Sequence, residues 1–227
     1  MVVTYIEHSG FSVELPECTL LFDYYLGKLP EFPKEHPLIV FASHVHGDHF
    51  QKKIFQLREQ YQEVYFVLSD DIPKKYDASD VIWVSPDAKV SVAGCEITCL
   101  NSTDEGVAFL VECGEKTIYH AGDLNWWHWE EEGAAYNDEM KQNYQREVDK
   151  LEGCKIDAAF VPVDPRLDDA YFWGIDYFMR KTDTKVVFPM HFWEKYETID
   201  RLIRQKETED YRDRIAEIDW KGERFSI

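Results

Sequence analysis

The sequence predicts a mixed α/β protein in which sheets are flanked by helices, and three observations support this. Hydrophobic residues make up 44% of the 227 residues and aromatic residues 15%, which is enough to build a buried core. The first half of the chain reads as short apolar or alternating segments that are typical of strands. The second half alternates strand patterns with helical patterns, as layered α/β proteins do. We expect a single domain over residues 1–227.

Nine short segments of the first half have the length and apolar content of strands, and turn residues separate them. Their predicted bounds are 2–6, 11–15, 18–22, 38–42, 64–68, 81–84, 96–100, 107–112 and 117–120. The run 38–42 is wholly apolar, which predicts a strand that is covered on both faces. Gly114 and Glu115 fall between the last two segments and predict a hairpin there.

Three segments of the second half carry apolar residues at helical spacing, over 138–151, 169–180 and 196–218. The last of them is the longest, and its charged residues fall opposite its apolar ones. We therefore expect a long surface helix there. Two apolar runs between the helices, 158–163 and 186–190, predict buried strands.

The chain is strongly acidic, which narrows the partners that it can have. Subtracting 44 Asp and Glu from 25 Lys and Arg gives a net charge of −19, with a pI near 4.7. Such a field repels nucleic acids and anionic membranes, so we expect a small-molecule substrate instead. No apolar run approaches the roughly 20 residues that span a bilayer, and no signal peptide is visible.

The cysteines predict a reducing environment. There are five of them, at irregular spacing and without a Cys-x-x-Cys pair: Cys18, Cys95, Cys99, Cys113 and Cys154. In a chain of this size we expect reduced thiols and a cytoplasmic location. Cys95 and Cys99 lie at even spacing on a predicted strand, so we expect them to share a buried face as small core residues.

A dense group of potential metal ligands follows the apolar strand 38–42. It has the pattern His-x-His-x-Asp-His, formed by His44, His46, Asp48 and His49. Imidazole nitrogen and carboxylate oxygen are ligands of Zn²⁺ and its neighbours, and several ligands on one tight turn lower the entropy cost of building a site. Gly47 lets the backbone bend within this turn. A polar loop with local hydrogen bonds is the alternative, and four ligands in six residues make a metal the stronger prediction.

Two later segments can complete such a site. Gly122 and Asp123 follow a predicted strand, and His191 ends another. Strand ends are where the active sites of layered α/β folds gather. Alone, Asp123 could cap a helix and His191 could be a core residue, but beside the first group they become candidate ligands. Asp23 and Asp164 also end strands, where they could brace ligand histidines or cap turns.

In these residues the sequence resembles the metallo-β-lactamase-fold hydrolases, over nearly the whole chain. The loop at 44–49, Gly122-Asp123 and His191 match the ligand motifs of that family in order and rough spacing. The opening Glu7-His8-Ser9-Gly10-Phe11 is similar to the branch that contains ascorbate-6-phosphate lactonase. The resemblance implies a four-layer αββα sandwich with metal ions at the upper edge of the sheets.

The resemblance also implies the ligands. One or two divalent ions are expected, Zn²⁺ first, with Mn²⁺ or Fe²⁺ as alternatives. His44 and His46 would bind the first ion. Asp48, His49 and His191 would bind the second, and Asp123 would bridge the two.

The activity implied is hydrolysis of a small ester, lactone or related metabolite by a metal-activated water. A bound ion lowers the pKa of water from 15.7 to about 7, so hydroxide is available at neutral pH. Asp48 is the candidate catalytic residue that orients this water or carries its proton. His8 is a second catalytic candidate that could donate to the substrate, or merely satisfy a backbone group.

One departure from the family pattern concerns the first ion. The family supplies a third histidine shortly before the strand that leads to Gly-Asp, and this chain has Ser102 or Thr103 there. Asp104 and Glu105 are candidates to substitute, and His120 is a further candidate. The first site is then either oxygen-rich, which favours Mn²⁺ or Fe²⁺ over Zn²⁺, or it is weak or empty.

The remaining alternatives concern the pocket and the activity. Trp126, Trp127 and Trp129 follow Asp123 and could wall a pocket or pack between sheet and helix. A phosphodiesterase or nuclease of the same fold is a second function, against which the acidity counts. A non-hydrolytic metal-binding protein is a third, which the missing histidine favours.

Overall fold

In a computed structural model that describes residues 1–227, two sheets pack face to face, as the sequence predicts. The first sheet has seven strands in the order β13-β1-β2-β3-β4-β5-β6. Its strands are β1 (Val2–Glu7), β2 (Gly10–Glu14), β3 (Thr19–Phe22), β4 (Leu38–Ala42), β5 (Val64–Ser69), β6 (Val81–Val84) and β13 (Arg224–Ser226). Strands β3 to β6 run parallel, so their carboxyl ends share one edge.

The second sheet has six strands in the order β12-β11-β10-β9-β8-β7. Its strands are β7 (Lys89–Val92), β8 (Cys95–Asn101), β9 (Val107–Cys113), β10 (Lys116–His120), β11 (Lys155–Pro162) and β12 (Asp183–Met190). Strands β9 and β10 form the predicted hairpin, whereas β10, β11 and β12 are parallel. The short strands β7 and β13 lie outside the predicted segments.

Aromatic side chains fill the space between the sheets. Phe11 packs on Phe160, and Phe41 packs edge-on against Phe109, so each pair joins one sheet to the other. The outer face of the second sheet is covered by helices α1 (Ala134–Asp149), α2 (Trp173–Lys181) and α3 (Glu197–Arg204). The outer face of the first sheet is covered by a 3₁₀ segment, Lys52–Glu59, that the periodicity did not predict. The layers are thus helix, sheet, sheet and helix.

The prediction of one long helix over 196–218 is wrong. Only the eight residues of α3 are α-helical, because the helix ends at Arg204. The hydroxyl of Thr208 donates to the carbonyls of Leu202 and Gln205, which closes the end of the helix. The chain then turns back, and Ala216 donates its N–H to Val187 O at the edge of β12. The apolar residues at 215–218 reach the core from an extended segment instead of a helix.

The other helix bounds also differ from the predicted ones. Helix α1 begins one turn earlier than the predicted start at 138. Helix α2 begins at Trp173 instead of 169, because Asp168 has a φ of 49° that interrupts the preceding turn. None of the helices is both long enough and apolar enough to cross a membrane.

The expectation of reduced thiols is wrong for one pair, since Cys95 and Cys113 form a disulfide. They lie directly opposite each other on β8 and β9, with Cα atoms 4.4 Å apart, so their side chains meet on one face. The Sγ of Cys18 lies 3.3 Å from that of Cys113. Cys95 and Cys99 share a buried face, as predicted.

Candidate metal centre

The predicted ligands converge because the strands that precede them end at the same edge of the sandwich. Strand β4 leads into the loop at 43–49, and β10 leads into Gly122 and Asp123. Strand β12 ends one residue before His191, and β11 ends two residues before Asp164. In parallel strands the carboxyl ends coincide, so side chains that are far apart in sequence meet here.

Three histidines present the same ring nitrogen to the centre of the site. His49 Nδ1 donates to Asp23, at 2.7 Å, and His191 Nδ1 donates to Asp164, at 2.9 Å. His44 Nδ1 lies 2.9 Å from the hydroxyl of Ser43, which itself donates to Asp23. These hydrogen bonds hold the proton on Nδ1 and leave Nε2 with its lone pair facing inward, as metal ligands require.

The carboxylate of Asp123 lies at the middle of these nitrogens. Its Oδ1 is 3.3 Å from His49 Nε2 and 3.5 Å from His191 Nε2. Its Oδ2 is 3.5 Å from His44 Nε2. Both His49 Nε2 and Asp123 Oδ1 are buried and have no hydrogen-bond partner. Buried polar atoms are rarely left unpaired, so this arrangement fits a bound cation between them.

The donor atoms fall into two groups, each compact enough to hold one ion. The first group consists of His44, His46, Asp104 and Asp123. The second consists of His8, Asp48, His49 and His191, with Asp123 beside it. All six ligands that the sequence predicts are therefore brought together, and two further donors join them.

Of the three residues considered in place of the missing third histidine, Asp104 is the one that lies within the first group. Its Oδ2 lies 3.8 Å from His46 Nδ1, and its backbone N–H donates to the Ser102 hydroxyl. Thr103 is turned away and donates to the carbonyl of Asn125. His120 lies outside both groups, since its ring contacts Ser9 O and Gly122 N.

His8 is a member of the second group, which favours its placement at the site over a purely structural role. Its Nε2 is buried without a hydrogen-bond partner and lies 3.4 Å from Asp48 Oδ2. Its ring packs on those of His191 and Trp193, with centroids 4.1 and 4.4 Å away.

The electrostatics favour cation binding. Burial lowers the pKa of His44 to about 3 and lowers the pKa of His49 and His191, so these rings stay neutral at pH 7. Burial raises the pKa of Asp123 well above its ordinary value. The negative charges of neighbouring carboxylates, Asp104 first among them, raise it further. Neutral imidazoles around uncompensated carboxylates are a donor set that divalent ions fit.

The backbone at this edge is strained. His8, Asp23 and His191 have φ values of 53°, 43° and 64°, in the left-handed region that non-glycine residues rarely adopt. Such conformations cost about 1–3 kcal/mol each and persist where the surrounding structure holds them. Here they point the side chains of all three residues into one site.

The tryptophans after Asp123 divide between the two predicted roles. Trp127 and Trp129 line a pocket of about 330 Å³ next to the ligands. Trp126 instead packs against Tyr144 and Trp173 on the helix side. Both expectations therefore hold, each for different members of the cluster.

Arg166 and Trp193 are among the residues of the pocket wall that sequence reasoning missed. Arg166 comes two residues after Asp164, and Trp193 two residues after His191. That adjacency to strand-end residues is the only signal that could have pointed to them. Asp164 itself does both things proposed for it, since it braces His191 and caps the turn at Arg166.

Comparison with known proteins agrees with this geometry. The family profile described as "Beta-lactamase superfamily domain" matches residues 2–138. A UPF0173 metal-dependent hydrolase from Desulforamulus reducens is 29% identical over an alignment of 141 residues that covers 54% of this chain and 62% of that protein. The aligned part thus spans less than two thirds of that relative.

Two solved structures share the fold at low identity. Igni18, a metallo hydrolase from Ignicoccus hospitalis, has a TM-score of 0.67 at 18% identity, over 100% of this chain and 98% of its own. CmlA, a diiron beta-hydroxylase from Streptomyces venezuelae, has a TM-score of 0.56 at 15% identity, over 84% of this chain and 44% of its own. Since the profile matches more than half of the chain and the architecture agrees, this chain belongs to the beta-lactamase superfamily and has the metallo-β-lactamase fold.

Proposed function

We propose that the protein is a hydrolase that holds divalent ions in the two donor groups and cleaves a small ester or lactone. The observation that carries this proposal is the pair of unpartnered buried atoms, His49 Nε2 and Asp123 Oδ1, that face each other at 3.3 Å. A divalent cation would accept a lone pair from each of them and from the donor atoms around them. The hydrolase relatives support the reaction class, and the substrate class comes from the sequence resemblance.

The ligand sets follow from the two groups. His44, His46 and Asp104 would hold the first ion and His49, His191 and Asp48 the second, with the Asp123 carboxylate beside both groups. Each set offers two imidazole nitrogens together with carboxylate oxygens, a combination that suits Zn²⁺, Mn²⁺ or Fe²⁺. When bound, such ions polarise a carbonyl and make hydroxide available near neutral pH.

The chain's own residues complete the chemistry. Burial raises the pKa of Asp48, but the neighbouring rings of His8 and His49 outweigh this and hold it below the ordinary value. Asp48 is therefore ionised at pH 7 and can accept a proton from the attacking water. His8 positions this carboxylate. Trp127 and Trp129 exclude water from one wall of the pocket.

The experiment is metal analysis of the purified protein followed by a screen of ester, lactone, thioester and phosphodiester substrates. We expect at least one bound transition metal, with ester or lactone turnover that chelation abolishes and Zn²⁺ or Mn²⁺ restores. Cleavage of phosphodiesters alone would support a phosphodiesterase instead. Tight metal without any hydrolysis would support a metal-binding protein, and protein that takes up no metal would refute the proposal.

A further inference from the structure

The pocket beside the donor groups has one strongly basic residue in its wall. Arg166 is the only Lys or Arg among its lining residues, in a chain with a net charge of −19. Its side chain is 47% exposed, so it faces the space of the pocket. A cation retained there must either neutralise a protein carboxylate or bind an anionic group of a ligand.

The carboxylate of Asp164 holds Arg166 in place. Asp164 is wholly buried, and its oxygens accept from the Arg166 backbone N–H at 2.8 Å and from Nε at 2.9 Å. Nη2 donates to the same carboxylate. A guanidinium has five N–H donors, and this side-on pairing uses only two of them. The edge formed by Nη1 and the outer N–H of Nη2 stays open.

Two tryptophans fix the plane of the guanidinium. Its central carbon lies 4.8 Å from the ring centroid of Trp193 and 5.6 Å from that of Trp129. Trp193 is held as well, because its Nε1 donates to Asp164 at 3.2 Å. Both rings lie within cation–π distance of the guanidinium, and its outer N–H groups remain as the free recognition surface.

The same carboxylate links Arg166 to the reacting centre. Asp164 Oδ2 also accepts from His191 Nδ1, so the cation and a metal-ligating ring are fixed relative to each other. His191 and Trp193 are neutral donors to Asp164, so Arg166 is its one positively charged partner, and the outer edge of this guanidinium remains unpaired. A preformed, half-exposed guanidinium at a set position from the hydrolytic site acts as an anchor for the substrate.

We infer that Arg166 is a specificity-determining residue that selects substrates bearing a carboxylate. Planar bidentate pairing with two parallel N–H groups is the geometry that a carboxylate offers. The apolar part of the substrate lies along Trp127 and Trp129, and its scissile carbonyl reaches the donor groups. This inference rests on the proposed hydrolase function and narrows it to small carboxylate-bearing esters or lactones.

The test compares two esters on the metal-loaded protein: the mono-4-nitrophenyl ester of glutarate, which carries a carboxylate, and 4-nitrophenyl butyrate, which is neutral. We expect kcat/KM to favour the anionic ester by about 10-fold to 100-fold, the range of a hydrogen-bonded charge pair. In Arg166→Gln this preference falls to about one, through loss on the anionic ester only. Arg166→Lys keeps part of it, because it keeps the charge without the fork.

Arg201→Gln is the matched control. Arg201 also stacks on an aromatic ring, that of Tyr171 at 4.0 Å, and pairs with Asp169, but it lies outside the pocket. We expect it to leave the preference unchanged. An equal loss on both esters in Arg166→Gln, with metal content intact, would show a structural role, and no preference in the wild type would overturn the inference directly.

Equilibrium binding separates this inference from the proposed function. Calorimetric titration of the metal-loaded protein with glutarate needs no turnover. If no ester is cleaved, the hydrolase proposal fails, while weaker glutarate binding in Arg166→Gln than in Arg201→Gln still supports the anchor. Equal glutarate binding by the two variants rejects the anchor whether or not the protein is a hydrolase.

Discussion

The candidate ligand histidines at the carboxyl edge of the sheets are oriented by buried carboxylates that accept hydrogen bonds from them. Asp23 and Asp164 are both wholly buried, and each fixes the proton position of one histidine. Burial raises the pKa of Asp164, but the hydrogen bonds from His191 and Arg166 outweigh it, so the carboxylate stays charged. The donor set is thus prepared before any ion binds.

Asp48→Asn should abolish hydrolysis while the protein still folds. The amide keeps the size of the side chain but cannot accept the proton, which costs about 10²–10⁴-fold in rate for a general base. Kinetics of a cleaved ester, with metal content and circular dichroism on the same sample, measure this. Turnover within a few-fold of the wild type would assign Asp48 a structural role.

Asp104→Ala should remove one of two unequal steps when apo-protein is titrated with Zn²⁺. The side chains of Asp104 and His46 are each 46% exposed, whereas His49 and His191 are buried, so the first group loses its ion to solvent more easily. Glu105→Ala is the control, because Glu105 is outside both groups. Two equally tight steps in the wild type, or both steps retained in Asp104→Ala, contradict the assignment.

The elements around the site meet through close backbone contacts. Gly106, in the turn before β9, has a φ of 69°, and a Cβ there would lie 2.0 Å from Ser43 O and 2.7 Å from His44 Cβ. A side chain at this position would therefore push the ligand loop away from the second sheet. Glycine is required here both for its left-handed conformation and for the approach of the two loops.

Gly106→Ala should lower the free energy of unfolding by about 3 kcal/mol or more and weaken metal binding, because strain and overlap add. Gly94→Ala separates the two causes: Gly94 also has a positive φ, of 81°, but nothing lies within 4 Å of its would-be Cβ. Gly94→Ala should lower the free energy of unfolding by about 1 kcal/mol and leave metal binding unchanged. Urea unfolding and metal content measure both, and similar losses in the two variants would argue against the contact with Ser43.

Asp157, on β11 next to β10, carries a charge whose effect on the free energy of unfolding depends on pH. Burial would raise the pKa of Asp157, but hydrogen bonds from Lys185, at 2.7 Å, and from the Thr117 N–H outweigh it and lower the pKa. Since the folded-state pKa lies below the unfolded value of about 3.9, this carboxylate stabilises the protein above about pH 4. That stabilisation is lost as the pH falls through the folded value.

Asp157→Asn should therefore destabilise the apo-protein by about 1–2 kcal/mol at pH 7 and by little at pH 3. Chelated protein is used so that metal release in acid does not contribute. Urea unfolding across pH 3–7 gives the comparison. A loss that is the same at every pH would mean that Asp157 acts through packing and not through its charge.

The whole molecule has a net charge of −19, and the carboxylates of Asp48, Asp104 and Asp123 add to it at the site, where bound cations would offset them. Chelation should lower the melting temperature by about 5–10 °C, because an ion at 100 times its dissociation constant contributes about 2.7 kcal/mol. His49→Ala, which removes a ligand, should melt near the chelated value and respond little to chelator. Calorimetry of both proteins checks this, and a wild-type transition that chelator leaves in place would refute stabilisation by metal.

Features that depend on neighbours in the chain were predictable from the sequence. Strand β4 and the loop that follows it were found because apolar runs and clustered ligands are local patterns. The six predicted ligands meet because each follows a strand, and parallel strands bring their carboxyl ends together. The cytoplasmic location rests on composition alone and stays a prediction.

Features that depend on contact between distant segments needed the tertiary structure. Asp104 joins His46, Arg166 faces the pocket, and Cys95 meets Cys113 only because particular strands and loops become neighbours. The end of α3 was missed for the same reason, since its apolar pattern is satisfied by a strand edge, Val187, that lies far away in sequence. A periodic pattern records which residues are buried, but the partner that buries them is set by packing.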